Sequence, residues 1–302
     1  MDKTRVVNLI AAGVKKHDGL VRLIRQVARR VSPQNVLVLD YPVDMKSRWN
    51  QDHPHEKIRG ILERNRSTYA AHLESFLSFS DHFLEIPVFP HSDPASVEPN
   101  WMNGWIHGLD AVALYSFIAL NRPRYFMEVG SGNSTRFARK AIIDHDLDTK
   151  IISIDPDPRR EIDSICDEVI RLPAEVVEPD RFDRLGEGDI LFIDSSHRVL
   201  MNSDVTALLL DVVPRLRPGV LVEIHDVLLP FDYPDKWIER YFSEQYLLAA
   251  YLLAEGSKFE VVLPHTFINT DDQLRGILSP LWERPELENV KTGGSSFWMR
   301  IR

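Results

Sequence analysis

The chain has 302 residues, 44% of them apolar and 27% charged, with 36 Lys and Arg against 45 Asp and Glu for a formal net charge of −9. That composition belongs to a folded globular protein and excludes collagen-like, disordered and disulfide-scaffold classes. No apolar run reaches the ~18 residues that cross a bilayer, the acidity argues against a nucleic acid as main partner, and the lone Cys166 fits a reducing, cytoplasmic location.

The charge is uneven. Residues 1–31 hold eight basic side chains against Asp2 and Asp18. Val21, Ile24, Val27 and Ala28 recur among them at helical spacing, which reads as a surface helix with a solvated basic face. A short strand is expected at 35–40. Over 56–83, Ile58, Leu62, Tyr69, Leu73, Phe76 and Leu77 follow the amphipathic-helix rhythm. Residues 86–99 contain four prolines, which remove backbone donors and force extended geometry, so a boundary falls there. The expected organisation is a mainly helical cap or oligomerisation subdomain at 1–100 and a second domain at 101–302.

From residue 124 short apolar runs alternate with helical segments. Strands are expected at 125–129, 151–155, 169–172, 190–194 and 220–225, with helices at 134–145, 159–167 and 202–216. Because crossovers between parallel strands need intervening chain that covers the sheet, this order specifies an α/β, doubly wound, mostly parallel sheet. A long helix at 237–255 follows, then runs at 259–263 and 296–301 with no clear crossover between them, so one of these strands is expected to be antiparallel.

The segment Phe126-Met-Glu-Val-Gly-Ser-Gly-Asn-Ser-Thr135 takes a buried strand through two glycines into a helix whose N-terminus offers free N–H groups. Thr135 stands where a dinucleotide fingerprint has its third glycine, and Glu128 stands two residues before the first. A carboxylate there repels a pyrophosphate and attracts an ammonium or sulfonium. Asp155, closing the second strand, sits where a ribose diol finds acceptors. Trp101, Asn103 and Trp105 precede the first strand and are candidates to close over a ligand.

Strands four and five end in Asp194 and His197, and in Glu223, His225 and Asp226. Ligands of doubly wound sheets bind at the carboxyl ends of the strands, so these groups converge beside the glycine turn. Carboxylates with imidazole suit a divalent cation such as Mg²⁺ or Mn²⁺. A histidine of near-neutral pKa suits proton abstraction. The loop 228–237 adds three aromatics to the same edge.

Together, Glu-Val-Gly-Ser-Gly132, the strand ending at Asp155, Phe-Ile-Asp194-Ser-Ser-His197 and the 217–226 segment ending in His225-Asp226 resemble class I S-adenosylmethionine-dependent methyltransferases. The flavour is closest to the macrolide-sugar O-methyltransferase-like subgroup, and the resemblance covers about residues 101–302. It implies a Rossmann-like sheet of seven strands with the last antiparallel. It also implies that Glu128, Gly130, Ser131 and Gly132 hold the methionine half of the cofactor and that Asp155 binds the ribose. For catalysis it implies His197 as base and metal ligands at Asp194, His225 and Asp226. Here His225 replaces an acid of the subgroup, and Ser195 replaces a common glycine. The expected activity is O-methylation of a small hydroxylated acceptor of sugar or polyketide type, with no nucleic acid, no integral membrane segment and homo-oligomerisation left open. The alternatives are a nicotinamide-dependent oxidoreductase and a non-catalytic cofactor-binding protein.

Overall fold

Four apolar runs too short for helices, each flanked by polar or turn residues, line up side by side at the centre of the molecule. The computed structural model describes residues 45–93, 95–158 and 161–302. The central strands are β1 (Tyr125–Val129), β2 (Lys150–Ile154), β4 (Ile190–Ile193) and β5 (Leu221–Ile224), and nearly every residue in them is buried. Burial on both faces is why they read as continuous apolar runs rather than alternating ones. With β3 (Glu168–Ile170), β6 (Phe259–Pro264) and β7 (Phe297–Ile301) they form one seven-stranded sheet of order β3-β2-β1-β4-β5-β7-β6. β1 to β5 are parallel, and β7 runs antiparallel to both β5 and β6, as expected. Register places Glu128, Ser153, Phe192, Glu223 and Trp298 in one lateral row. Two carboxylates are thereby built into the sheet itself.

The helical expectations needed more correction than the strands. The 56–83 pattern divides into α1 (Glu56–Glu63), α2 (Arg66–Phe76) and α3 (Ser80–Glu85). Ser47–Arg302 forms one compact unit, with α2 lying against β6 and α4 (Gly108–Asn121), so the described part of 1–100 packs with the sheet. α5 (Asn133–Asp144) agrees with expectation. The helix expected at 159–167 is reduced, among the described residues, to a 3₁₀ turn at Asp163–Ile165 that follows Pro156 and Pro158. The 202–216 helix starts as α6 (Asp204–Thr206), widens to π geometry over Ala207–Val212 and tightens to 3₁₀ at Val213–Arg215 around Pro214. The 237–255 helix is interrupted at Tyr241, whose φ is 56°, so only α7 (Glu244–Leu253) is α-helical. The expected 35–40 strand and basic helix lie outside the described residues. No helix among the described residues is long and apolar enough to cross a membrane.

Two close approaches fix the carboxyl edge of the sheet. At Gly130 the chain leaves β1 with φ +82°, and a Cβ there would lie 1.8 Å from the Asp194 carbonyl oxygen. Only glycine accommodates both that φ and that contact. At Gly294, before β7, a Cβ would lie 2.4 Å from Asp110 Oδ1. That oxygen accepts hydrogen bonds from the backbone N–H groups of Ser295 and Ser296, both at 2.9 Å, and lies 2.7 Å from His265 Nδ1. Gly130→Ala is expected to cost about 3 kcal/mol or more of stability in urea denaturation, because it adds positive-φ strain to a backbone collision that no side-chain rotation relieves.

Candidate active site

The first locus is assembled around the turn that Gly130 makes. The Ser131 N–H donates to Asp155 Oδ2 at 2.9 Å, and the Ser131 and Ser153 hydroxyls lie 2.8 Å apart, stitching the β1 turn to the end of β2. The other oxygen of Asp155 accepts the Asp157 N–H at 2.8 Å. Arg171, just beyond β3, donates to the Asp155 carbonyl at 3.0 Å. Asp155 is therefore held from three sides and remains partly open to solvent. A Cβ at Gly132 would meet nothing within 4 Å, so the backbone there borders open space.

Glu128 lies beneath this turn, fully buried. The Gly132 N–H donates to Thr135 Oγ1 at 3.0 Å, and the Thr135 hydroxyl donates in turn to Glu128 Oε2. Its other oxygen, Oε1, has no hydrogen-bond partner. Burial pushes the Glu128 carboxyl up to about 7 against the opposing hydroxyls of Ser134, Thr135 and Ser131. Such a group wants a donor or a positive charge.

A second locus lies across β4 and β5. His197 and Asp226 both have positive φ, 58° and 54°, at the turns where these strands end. His197 Nε2 is 3.1 Å from Asp194 Oδ1 and 3.9 Å from Asp226 Oδ2, while its Nδ1 is 2.9 Å from Glu244 Oε2. Burial alone would lower this imidazole, but its bonds to Asp194 and Glu244 prevail and push it up to about 10. Both ring nitrogens of His197 therefore face carboxylates, a setting that favours its charged form. Asp194 is the more open partner, with 28% of its side chain exposed against 7% for His197.

His225 points into the interior instead. Its Nδ1 lies 3.3 Å from Glu223 Oε1 and 3.2 Å from Ser296 Oγ. Burial opposes its charge, yet the carboxylates of Asp194, Glu223 and Asp110 hold it well above an ordinary imidazole. Burial pushes Glu223 up to about 7. Ser295 Oγ donates to Asp226 Oδ1 at 3.0 Å, so the Asp110 latch on residues 295 and 296 also steadies Asp226.

Asp194, His225 and Asp226, the expected metal ligands, do not fit an ion as arranged. A divalent ion bound at about 2.2 Å needs ligand atoms within about 4.4 Å of one another. Among the described residues, the one trio meeting even 4.8 Å is His82, Glu85 and Asp144. There Lys140 already holds both Asp144 oxygens at 2.8 Å. Between Asp194 and Asp226 the positive charge is supplied by His197.

Trp101 is core, packed on Phe137 with ring centroids 5.7 Å apart; the Asn103 side chain ties its own turn through Trp105 and Ile106, and Trp105 is half exposed. Glu244, Asp110 and Arg171 went unnoticed in the sequence. The first two had a signal, since each is a lone acid at the start of an otherwise apolar helix.

The buried Glu128 has a thermodynamic consequence. Its folded pKa of about 7 exceeds the ordinary 4.5, so the folded state holds the proton more tightly and stability falls as pH rises between those values. In urea denaturation, the stability of Glu128→Gln relative to the parent is expected to improve by about 3 kcal/mol from pH 5 to pH 8.

Residues 127–227, which contain Glu128, the glycine turn, Asp155 and both polar strand ends, match a family model described as a methyltransferase domain. No curated protein matches the chain. Similar solved structures include the O-methyltransferase from Bacillus cereus in complex with S-adenosylhomocysteine, 15% identical, covering 76% of this chain and 90% of that one with a TM-score of 0.38. Another is the S-adenosylhomocysteine-bound methyltransferase PaMTH1 of Podospora anserina, 15% identical, covering 88% of this chain and 100% of that one with a TM-score of 0.39. The matched segment, 127–227, lies along the carboxyl edge of the β3-β2-β1-β4-β5-β7-β6 sheet, and over that stretch the chain is similar to a methyltransferase domain.

Proposed function

We propose that the protein methylates a hydroxyl of a small acceptor, of sugar or polyketide type, at the edge between the Gly130 turn and the Asp194–His197 pair. The observation that carries this reading is the unpartnered Glu128 oxygen, buried below a glycine turn that borders open space and lies beside Asp155. These residues suit a ligand with an ammonium at one end and a ribose diol at the other. In this reading Glu128 and residues 130–132 face the methionine half. Asp155, whose oxygens each take one backbone N–H, keeps lone pairs for the ribose hydroxyls. When bound, S-adenosylmethionine supplies an electrophilic methyl group on a sulfonium.

This chain's own residues then have two tasks. The acceptor oxygen has to be aligned and has to lose its proton as it attacks. His197 is buried with both ring nitrogens on carboxylates and Asp194 is the more open of the pair, so we assign proton acceptance to the Asp194 carboxylate, oriented by His197 Nε2, with Glu244 fixing the ring from behind. No step is routed through a metal, because Asp194, His225 and Asp226 do not converge.

Calorimetric titration is expected to give one S-adenosylhomocysteine site and no NAD site; binding of NAD, or of neither, overturns the reading. Glu128→Gln should weaken S-adenosylhomocysteine about tenfold at pH 8. Affinity of the parent should rise from pH 6 to pH 8, as Glu128 loses its proton, and this pH dependence should vanish in the variant. In a screen of hydroxylated acceptors with labelled methyl donor, Asp194→Asn is expected to lower kcat about 100-fold or more while leaving S-adenosylhomocysteine affinity within about twofold. EDTA should leave both readouts unchanged.

A further inference from the structure

We propose that the methyl acceptor carries an anionic group, a phosphate or a carboxylate, and that Arg198 and Arg240 seat it beside the reaction edge. This inference rests on the methyltransferase reading and narrows its substrate class.

The chain is acidic overall, and most of its described arginines end on a carboxylate, among them Arg64, Arg139, Arg184, Arg215 and Arg302. Arg198 and Arg240 do not. Both are exposed, and among the described residues neither has a carboxylate within ion-pair distance. Their places are set by neutral groups instead. Arg198 Nε donates to the Arg240 carbonyl at 2.9 Å, and its Nη1 donates to the Ser196 carbonyl at 3.4 Å. The Arg240 guanidinium lies over the Trp237 ring at 4.7 Å. Both guanidinium carbons are within 6 Å of the Phe242 ring centroid, Arg240 at 5.5 Å and Arg198 at 5.8 Å.

An aromatic face orients a guanidinium through its π-system and consumes none of its N–H donors. The outcome is two positioned cations with hydrogen-bonding capacity to spare, the arrangement that recognises the paired oxygens of a phosphate or carboxylate. Its place in the molecule gives it a purpose. The Phe242 ring is 4.6 Å from the His197 imidazole, centroid to centroid, and the backbone N–H groups of Ser243 and Glu244 donate to the His197 carbonyl at 2.7 and 3.2 Å. The arginine pair is thus tied to the residue that orients Asp194. Around the reaction edge itself the carboxylates of Asp194, Asp226 and Glu244 outnumber the cation they enclose, His197. An acceptor with its anion on the arginines and its hydroxyl toward Asp194 is held in one orientation, because the reverse placement sets its anion against carboxylates.

The test uses the full chain saturated with S-adenosylhomocysteine, with inorganic pyrophosphate as the phosphate probe and malonate as the carboxylate probe in calorimetric titrations. Expected is saturable, salt-sensitive binding of at least one probe in the millimolar range or tighter, weakened about tenfold or more in the Arg198→Gln/Arg240→Gln variant and largely retained in Arg198→Lys. The probe that binds more tightly identifies the anion. No saturable binding of either probe, or equal binding by the double variant, overturns the proposal. Binding of S-adenosylhomocysteine is measured in the same samples. If it persists while the anions fail, only the substrate class is lost; if it is absent from the parent protein, the methyltransferase reading fails with it.

Discussion

The carboxyl edge of this sheet depends on a contact that no side chain could survive. Where β1 turns at Gly130, the missing Cβ lets the backbone close on the Asp194 carbonyl of β4. That approach sets the spacing between the two strands beyond their ladder, where Asp194 N–H still donates to Val129 O at 2.9 Å and Gly130 N–H to Ile154 O at 3.0 Å. The glycine thereby does more than open a path to a ligand. It brings the end of β4, with Asp194 and His197, against the turn that borders the cofactor side. A larger residue would push the donor side and the acceptor side apart, and alignment of reacting groups tolerates little displacement.

Electrostatics then accounts for most of what the edge does. Glu128, Glu223 and Glu244 are fully buried, and Asp194, Asp226 and Asp155 sit at the rim. Burying carboxylates is costly unless charge or hydrogen bonds compensate. His197 compensates Asp194 and Glu244, and His225 compensates Glu223. Glu128 accepts the Thr135 hydroxyl on one oxygen, with the Ser131 and Ser134 hydroxyls close by, while its other oxygen has no hydrogen-bond partner. In the folded chain this is a local deficit. It is also the reason a cationic ligand gains more at this spot than water can offer, since the desolvation has been met during folding and the attraction is realised on binding.

Sequence reading recovered the strands because the evidence for them is dense: a strand buried on both faces must be apolar throughout, and 125–129 and 190–193 are interrupted only by Glu128. That one exception was itself the clue to the site. The crossovers were less legible. Apolar spacing at 159–167 matched a helix, but Pro156 and Pro158 and a short link to β3 left space for a single 3₁₀ turn among the described residues. At Tyr241 the break between the 3₁₀ segment and α7 carries no glycine or proline, so nothing local announced it. Glu244 carried the weak local signal of a lone acid opening an apolar helix, but its partner His197 is 47 residues away in the chain. Side chains that act through long-range pairing leave little trace in local pattern, whereas residues that shape a turn leave a strong one. The surroundings of His197 follow the same rule: its residue type suggests a base, and only the fold brings the two carboxylates that flank its ring.

The division of labour along the chain follows from these constraints. The groups we propose for the cofactor lie on β1, β2 and the glycine turn, where ladder hydrogen bonds fix them on both sides. The groups we propose for the acceptor lie on the turns after β4 and β5 and on the 237–244 segment, which is held by side-chain contacts and the His197 carbonyl. A sheet-borne site is rigid and suits a ligand that never varies; a loop-borne site can be re-lined with few consequences for the core. The aromatic residues Trp237 and Phe242 make the loop-borne part firm without carboxylates, so the arginines they orient keep their donors for a ligand. On the proposed reading, specificity for the acceptor is separated from the machinery of transfer, and the boundary between them runs through His197, which touches Asp194 on one side and Phe242 on the other.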